Sequence, residues 1–224
     1  MENLTLIIPA KNEKESLPHV LDEIKKLNLN CKIKVCLAED DKDTIEAIKN
    51  YQVELFYQNK NGYGAAIFEG IESDKNDYFC IFNADGSFDP NELVLMLNKL
   101  ENDKVDFLFA SRYLEHGGSD DDTFVTLLGN KIFSSIGKIF FKLPISDILY
   151  TYVIGKTDVF KKLNIKESDF RFCVELPIKS AMKNYKIDDI PSFERPRIDG
   201  IKKVNAFKDG WLILICMIKL FFNK

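Results

Sequence analysis

The 224-residue chain holds only two histidines, His19 and His116, and a single tryptophan. Neither histidine has a serine or cysteine set in a nucleophile elbow, so triad hydrolysis is not indicated. Both read as surface residues. The five cysteines, Cys31, Cys36, Cys80, Cys173 and Cys216, are odd in number and fit no zinc spacing. Cys36 and Cys80 sit inside apolar runs and read as buried, reduced thiols of a cytosolic chain. No Gly-x-x-x-x-Gly-Lys loop exists, which excludes P-loop chemistry. Gly62 and Gly64 lack the third glycine, and the place after the first strand, of a dinucleotide fingerprint. The longest strongly apolar run, Trp211–Phe222, covers 12 residues and is broken by Lys219. A membrane-spanning helix needs about 20. Met1 leads directly into Leu4–Ile8 with no basic leader or cleavage site, so no signal peptide is expected.

A basic excess is also missing. Lys and Arg number 31 against 35 Asp and Glu, a net charge of −4, which gives no case for nucleic acid. The charge is uneven, however. Lys179–Lys224 carries +5 and the preceding residues carry −9. An acidic body with a basic end suggests an anionic partner or surface near the C-terminus.

What is present is an ordinary globular composition, 46% hydrophobic and 29% charged. Short apolar runs alternate with longer stretches of helical period. Strands are expected at Leu4–Ile8, Lys32–Ala38, Val53–Tyr57, Tyr78–Phe82, Val105–Ala110 and Lys186–Ile190. Helices are expected at Lys14–Leu27, from a cap at Asp43 or Thr44 to Asn50, at Gly62–Ile71, from Asp89-Pro90 to Leu100, and at Phe124–Phe141, Val174–Asn184 and Trp211–Phe222. This order predicts one α/β domain over residues 1–210, a mostly parallel sheet with helices on both faces. Residues 211–224 form an apolar C-terminal helix. It either packs on the body or in a dimer, or lies in a membrane interface beside the cationic Arg195–Lys208 segment.

Ligands of open α/β sheets bind at the carboxyl ends of the strands. Lys11-Asn12-Glu13, Glu39-Asp40-Asp41 and Asn83-Ala84-Asp85-Gly86-Ser87 all fall on such ends. Each alone reads equally as a polar connection. Together they offer acids on one edge, suited to a divalent cation and hence a diphosphate. Asp85 follows an apolar strand and projects into the crevice, although Asp-Gly is also a common turn. The small residues Gly62, Gly64, Ala65 and Ala66 permit close approach, of a ligand or of a packed neighbour. Arg195–Lys203 packs four cations into nine residues. It is either a solvated loop or a shaped phosphate site.

Seven stretches in this order resemble the inverting GT-A glycosyltransferases of family two. The nearest subgroup is that of dolichyl-phosphate mannose synthase and the bacterial polyprenyl-phosphate sugar transferases. The stretches are Ile7–Glu13, Glu39–Asp41, Gly62–Ala65, Asn83–Gly86, Ala110–Tyr113, Gly129-Asn130 and Arg197–Val204. The resemblance implies a GT-A, Rossmann-like fold. It places Pro9, Ala10, Asn12, Glu13, Glu39, Asp40, Gly64, Asn83 and Ala84 around a GDP- or UDP-sugar. It makes Asp85 the second acid of a DxD motif holding Mg²⁺ or Mn²⁺, with Asn83 and Ser87 beside it. Arg112, Lys131, Arg197 and Lys203 correspond to cations facing the diphosphate or an acceptor phosphate. Three positions depart from the pattern. Asn83 replaces the first DxD acid, Lys42 follows the Glu39-Asp40-Asp41 acids, and Thr126 stands where relatives using a lipid phosphate often have arginine, leaving Lys131 as the nearest cation.

The implied reaction is one displacement at the anomeric carbon. The acceptor is a polyprenyl phosphate or, alternatively, a hydroxyl of a lipid-linked or cell-surface glycan. A hydroxyl needs a general base, for which Asp147 and Glu175 are the candidates, although each also reads as a structural carboxylate. The expected location is cytoplasmic, either free or peripheral on the cytoplasmic face of the membrane. A sugar nucleotidyltransferase is disfavoured because no Gly-rich basic loop follows the first strand. A non-catalytic nucleotide-binding module stays open through Asn83.

Overall fold

The computed structural model describes residues 1–199 and 206–223. The first half runs β1 (Leu4–Pro9), α1 (Ser16–Lys26), β2 (Lys32–Leu37), α2 (Lys42–Ala47), β3 (Glu54–Tyr57), α3 (Tyr63–Glu72), β4 (Tyr78–Ile81) and α4 (Glu92–Asn102). The second runs β5 (Phe107–Ser111), β6 (Gly118–Ser119), α5 (Phe124–Phe141), β7 (Val153–Lys156), α6 (Thr157–Lys161), α7 (Phe172–Met182), β8 (Ile187–Pro191), β9 (Phe193–Glu194) and α8 (Ala206–Phe222).

Seven strands form one sheet in the order β3-β2-β1-β4-β7-β5-β8. All neighbours are parallel except β7, which runs antiparallel to both β4 and β5. The expected mostly parallel α/β sheet with helices on both faces is therefore present. Its strands read as continuous apolar runs because both faces are covered. In β1, Leu4, Leu6 and Ile8 enter one core cluster and Ile7 the other. In β5, Phe107 and Phe109 face one side, Leu108 and Ala110 the other. Each such large side chain, removed from water, contributes roughly 1.5–3 kcal/mol.

Three strands are not foreseen by the sequence, the short β6 and β9, which pair with each other, and β7 within the main sheet. β7 enters against the general direction, so its first residue lies at the carboxyl ends of β4 and β5. That puts Thr151, just before it, on the ligand edge. Gly155 within β7 fits because the Phe107 ring occupies the space a Cβ would need, 2.3 Å from it. A buried cation also escaped the sequence pattern. Lys34 in β2 is fully buried and its ammonium group binds Asp74 Oδ1 at 3.2 Å, Ser73 Oγ at 2.9 Å and the Gly70 carbonyl at 3.2 Å.

α8 begins at Ala206, ahead of the expected Trp211. Its inner residues Ile213, Cys216 and Met217 join the core. Its outer residues do not. The helix packs along α5, with the Phe221 ring 5.9 Å from Phe140 and 6.0 Å from Phe141. Among the described residues α5 is the one helix long and apolar enough to cross a membrane, by length and composition alone. All five cysteines are free thiols, and Cys36 and Cys80 are fully buried as expected.

Candidate functional site

The carboxyl ends of β1, β2, β4, β5 and β8 all open on one edge, and each delivers a loop there. After β1, the Ala10 N–H donates to the Cys36 carbonyl at 2.9 Å. Asn12 adopts a left-handed backbone, φ 54°, and its N–H donates to Asp41 Oδ2 at 2.7 Å. The Glu13 N–H donates to Thr44 Oγ1 at 3.0 Å, and the Ser16 hydroxyl donates to the Glu13 carboxylate. Asp41 Oδ1 accepts from the Thr44 N–H at 3.4 Å. The cap of α2 is thus Asp41, not Asp43 or Thr44. One carboxylate ties the first two loops together, which leaves Glu39 and Asp40 exposed at the end of β2.

Asp85 lies in the loop after β4 and is 7% exposed. Its Oδ1 accepts from the Ser87 N–H at 3.0 Å and the Ser87 hydroxyl at 2.6 Å. Its Oδ2 faces the Arg197 guanidinium at 3.2 Å. Asn83 Oδ1 accepts from the Tyr63 hydroxyl at 3.1 Å, and that hydroxyl also meets Thr151 Oγ1 at 2.6 Å. Tyr63 stacks on Phe170, and burial pushes its hydroxyl pKa well up, so it stays a neutral donor. The Tyr63–Asn83–Thr151 connection is the contact the sequence did not announce. Its members lie 20 and 88 residues apart.

A strap at 195–198 crosses this loop. The Arg195 N–H donates to the Ser87 carbonyl and the Ile198 N–H to the Asp85 carbonyl, both at 2.9 Å. The Arg195 guanidinium holds the Phe88 carbonyl at 2.7 Å and Glu23 at 2.8 Å. Gly86 takes a positive φ of 83°, and the Ile198 side chain fills the space over it. The strap brings Arg197 to Asp85, and Arg197 Nε also lies 3.4 Å from Asp121. Lys203 lies outside the described residues.

Arg112, after β5, is 8% exposed. Its Nε donates to Asp147 Oδ2 at 2.7 Å and its NH2 to Asp147 Oδ1 at 3.1 Å. Glu194 sits 3.0 Å and Asp122 3.5 Å from its NH1. Burial alone would pull its pKa down. The Asp147 and Glu194 charges reverse this and hold it well above the ordinary arginine value. With its amide turned to satisfy both ends, Asn130 offers its oxygen to Arg112 NH2 at 3.1 Å and to the Tyr113 hydroxyl at 3.2 Å. A cavity of about 400 Å³ opens beside this cluster, lined by Arg112, Tyr113, Gly118, Ser119, Asp122, Leu127 and Lys131. The Lys131 ammonium lies 5.7 Å from the centre of the Tyr113 ring. Among the described residues it has no acidic partner. Thr126 instead closes the N-terminal cap of α5 with Thr123.

Three expectations change here. Asp147 is fully buried with both oxygens on Arg112, so it positions Arg112 and is not open to an acceptor as a base. Glu175, 3% exposed, accepts the N–H groups of Lys166 and Glu167 and pairs with Lys179 at 2.7 Å. It orders the backbone at 166 and 167, with both carboxylate oxygens engaged. What Gly64 admits is the 166–169 loop. A Cβ there would stand 2.5 Å from the Glu167 carbonyl and 2.8 Å from that of Asp169. Close packing against that loop requires this glycine.

The family profile "Glycosyl transferase family 2" matches residues 5–163. The chain belongs to glycosyl transferase family 2. Relatives of this family 2 chain include the low-salt glycan biosynthesis hexosyltransferase Agl6 of Haloferax volcanii, 22% identical over 93% of this chain and 51% of that protein. The dolichol-phosphate mannosyltransferase of Pyrococcus furiosus is 23% identical over 91% of this chain and 59% of its own length. The chain thus spans little more than half of either. An uncharacterised glycosyltransferase of Mycobacterium bovis is 26% identical, over 95% of this chain and 94% of its own. Among solved structures, the glucosyl-3-phosphoglycerate synthase of Mycobacterium tuberculosis, with Mn²⁺, UDP and glucosyl-3-phosphoglycerate, has a TM-score of 0.77. It is 11% identical, over 97% of this chain and 79% of that one. The mannosyl-3-phosphoglycerate synthase of Rubrobacter xylanophilus has a TM-score of 0.74 at 16% identity, over 96% and 72%. These likenesses establish the single-domain GT-A fold of the family 2 chain.

Structures of the Mycobacterium tuberculosis glucosyl-3-phosphoglycerate synthase hold Mn²⁺ or Mg²⁺ with UDP. Among the described residues of the family 2 chain, no three His, Cys, Asp or Glu side chains cluster as a metal site. The donors present are the Asp85 carboxylate, the Asn83 amide oxygen and the Ser87 hydroxyl. All are hard oxygens suited to such ions. A cation, the Arg197 guanidinium, already rests on the free Asp85 oxygen. The donor types fit a divalent ion, with Asp85 as the single charged ligand among them.

Proposed function

We propose that the chain transfers a sugar, with inversion, from a GDP- or UDP-sugar to the phosphate of a polyprenyl phosphate. The carrying observation is the state of the two carboxylates that a hydroxyl acceptor would call on. Asp147 is spent on Arg112, and Glu175 on backbone N–H groups. An acceptor already anionic at neutral pH needs no base. The Arg112–Lys131 cavity lies on the same edge as Asp85 and presents an ammonium group with no acidic partner among the described residues. The names of the Pyrococcus and Haloferax relatives, a dolichol-phosphate mannosyltransferase and a hexosyltransferase, support the same class.

In this reading Glu39 and Asp40 meet the nucleoside, and the loop after β4 receives the diphosphate. Arg197 leaves Asp85 for a phosphate oxygen and offsets the charge that builds on the departing diphosphate. Asp85, with Asn83 and Ser87, would hold a Mg²⁺ or Mn²⁺ ion, which would supply Lewis-acid stabilisation to that same leaving group. Tyr63 fixes the Asn83 amide, and Asp147 fixes Arg112 at the cavity wall. Lys131 draws the acceptor phosphate. Transfer to a glycan hydroxyl is the second reading, with Asp122 at the cavity wall as its support.

Competition between phosphorylated and dephosphorylated polyprenol, with the product's anomeric configuration read by NMR, tests the proposal. A phosphate-linked product of inverted configuration is expected. Use of the free alcohol would transfer support to the hydroxyl reading.

A further inference from the structure

Of the 16 large apolar side chains exposed among the described residues, 11 lie on the two adjoining helices α5 and α8. On α5, Phe124, Leu128, Ile132 and Ile139 recur at helical spacing and are 79%, 51%, 50% and 71% exposed. On α8, Phe207, Trp211, Ile218 and Phe222 do the same, at 85%, 64%, 48% and 79%. The opposite faces are occupied. Ser134, Gly137 and Phe141 of α5 are buried, as are Ile213, Cys216 and Met217 of α8. Both helices therefore lie flat against the body and present a second apolar face outward. Monomers in water rarely leave so large a contiguous patch bare.

The charge beside the patch identifies what covers it. Residues 124–142 contain Lys131, Lys138 and Lys142 and no acid, in a chain of net charge −4. Those lysines recur at seven- and four-residue steps and so form one row along the apolar stripe. A second copy would bring the same lysine-bearing face against itself. A surface that is apolar within and negative at its boundary satisfies both features at once.

We infer that α5 and α8 together form a docking face for an anionic phospholipid surface, lying in the headgroup layer rather than spanning it. The aromatic and aliphatic side chains enter the acyl boundary and the lysine row meets lipid phosphates. The face goes beyond the C-terminal helix alone, because the larger share of its apolar and cationic groups belongs to α5. It rests on the proposed function in one respect. Leu127 and Lys131 of α5 line the acceptor cavity, so docking sets the cavity mouth at headgroup level, where a lipid-borne phosphate lies.

The experiment uses the full chain with vesicles of phosphatidylcholine alone or of phosphatidylcholine with phosphatidylglycerol, neither containing polyprenyl phosphate. Trp211, the only tryptophan, reports entry by a blue shift of its emission, and co-sedimentation reports binding. Binding to the anionic vesicles with a blue shift is expected, weakened by salt. Replacing Lys138 and Lys142 by Gln should each weaken it about five-fold. Ile139→Asp, at a 71% exposed position outside both core clusters, should abolish it, with circular dichroism reporting an unchanged fold. Absence of binding, binding unchanged in these variants, or a lipid-free dimer that already shields Trp211 would overturn the inference. Transfer to a short, water-soluble polyprenyl phosphate, measured on the same variants, separates the two claims. It should stay at the wild-type rate, and its absence in the wild type would count against the acceptor and not against the face.

Discussion

In the proposed transfer Asp85 is the residue on which the chemistry turns, since one of its oxygens is fixed by Ser87 and the other is directed at a cation. Asp85→Asn keeps the shape and removes the charge. Transfer should fall by about 10²-fold or more, while circular dichroism and the urea midpoint stay near wild type. Asp147 behaves in the opposite way. Asp147→Ala leaves the Arg112 guanidinium buried with fewer partners, which costs about 3–5 kcal/mol. Urea unfolding should therefore move together with the transfer rate. A catalytic base in that position would lose rate alone. The structural role of Asp147 was not legible in the sequence. The partner that consumes it lies 35 residues upstream. Asp85 was legible because a strand end and a turn residue coincide there. Lys34 was not, since its alternation with Lys32 mimics a solvated strand face.

At the scale of elements, the first half was legible because βα units alternate at short spacing and each strand is apolar throughout. β7 was missed because an antiparallel insertion has no crossover helix to announce it, and Gly155 weakens its strand pattern. The start of α8 was read late because Asp209-Gly210 resembles a loop. The glycine is tolerated there, with only the Phe133 ring near it, at 3.8 Å from a would-be Cβ. The loop at 166–169 is held from below by Glu175 and from above by the two glycines at 62 and 64. Gly62 has a φ of 128°, and a Cβ there would stand 2.1 Å from the Ser168 carbonyl. Gly64→Ala forces backbone carbonyls apart and should lower unfolding stability by about 1–3 kcal/mol. A drop in nucleotide affinity at unchanged stability would restore a ligand-facing role for Gly64.

At the scale of the whole molecule, one buried ion pair links the sheet to α3 and gives stability a pH dependence. Burial raises the Asp74 pKa, but the Thr5 hydroxyl and the Lys34 and Lys32 charges outweigh it and hold the carboxyl below its usual range. Its stabilisation is thus complete above the unfolded value of about 4 and is lost as pH falls through the lower folded value. Asp74→Asn should flatten the acid limb of the urea midpoint below pH about 4. An unchanged acid limb would assign it to other carboxylates. Labelled nucleotide sugars, screened with and without polyprenyl phosphate, test the proposed transfer most directly. The expected result is organic-soluble label from one GDP- or UDP-sugar only when the lipid phosphate is present, and its loss in Asp85→Asn. Equal transfer in that variant, or label passing only to a water-soluble glycan, would contradict it.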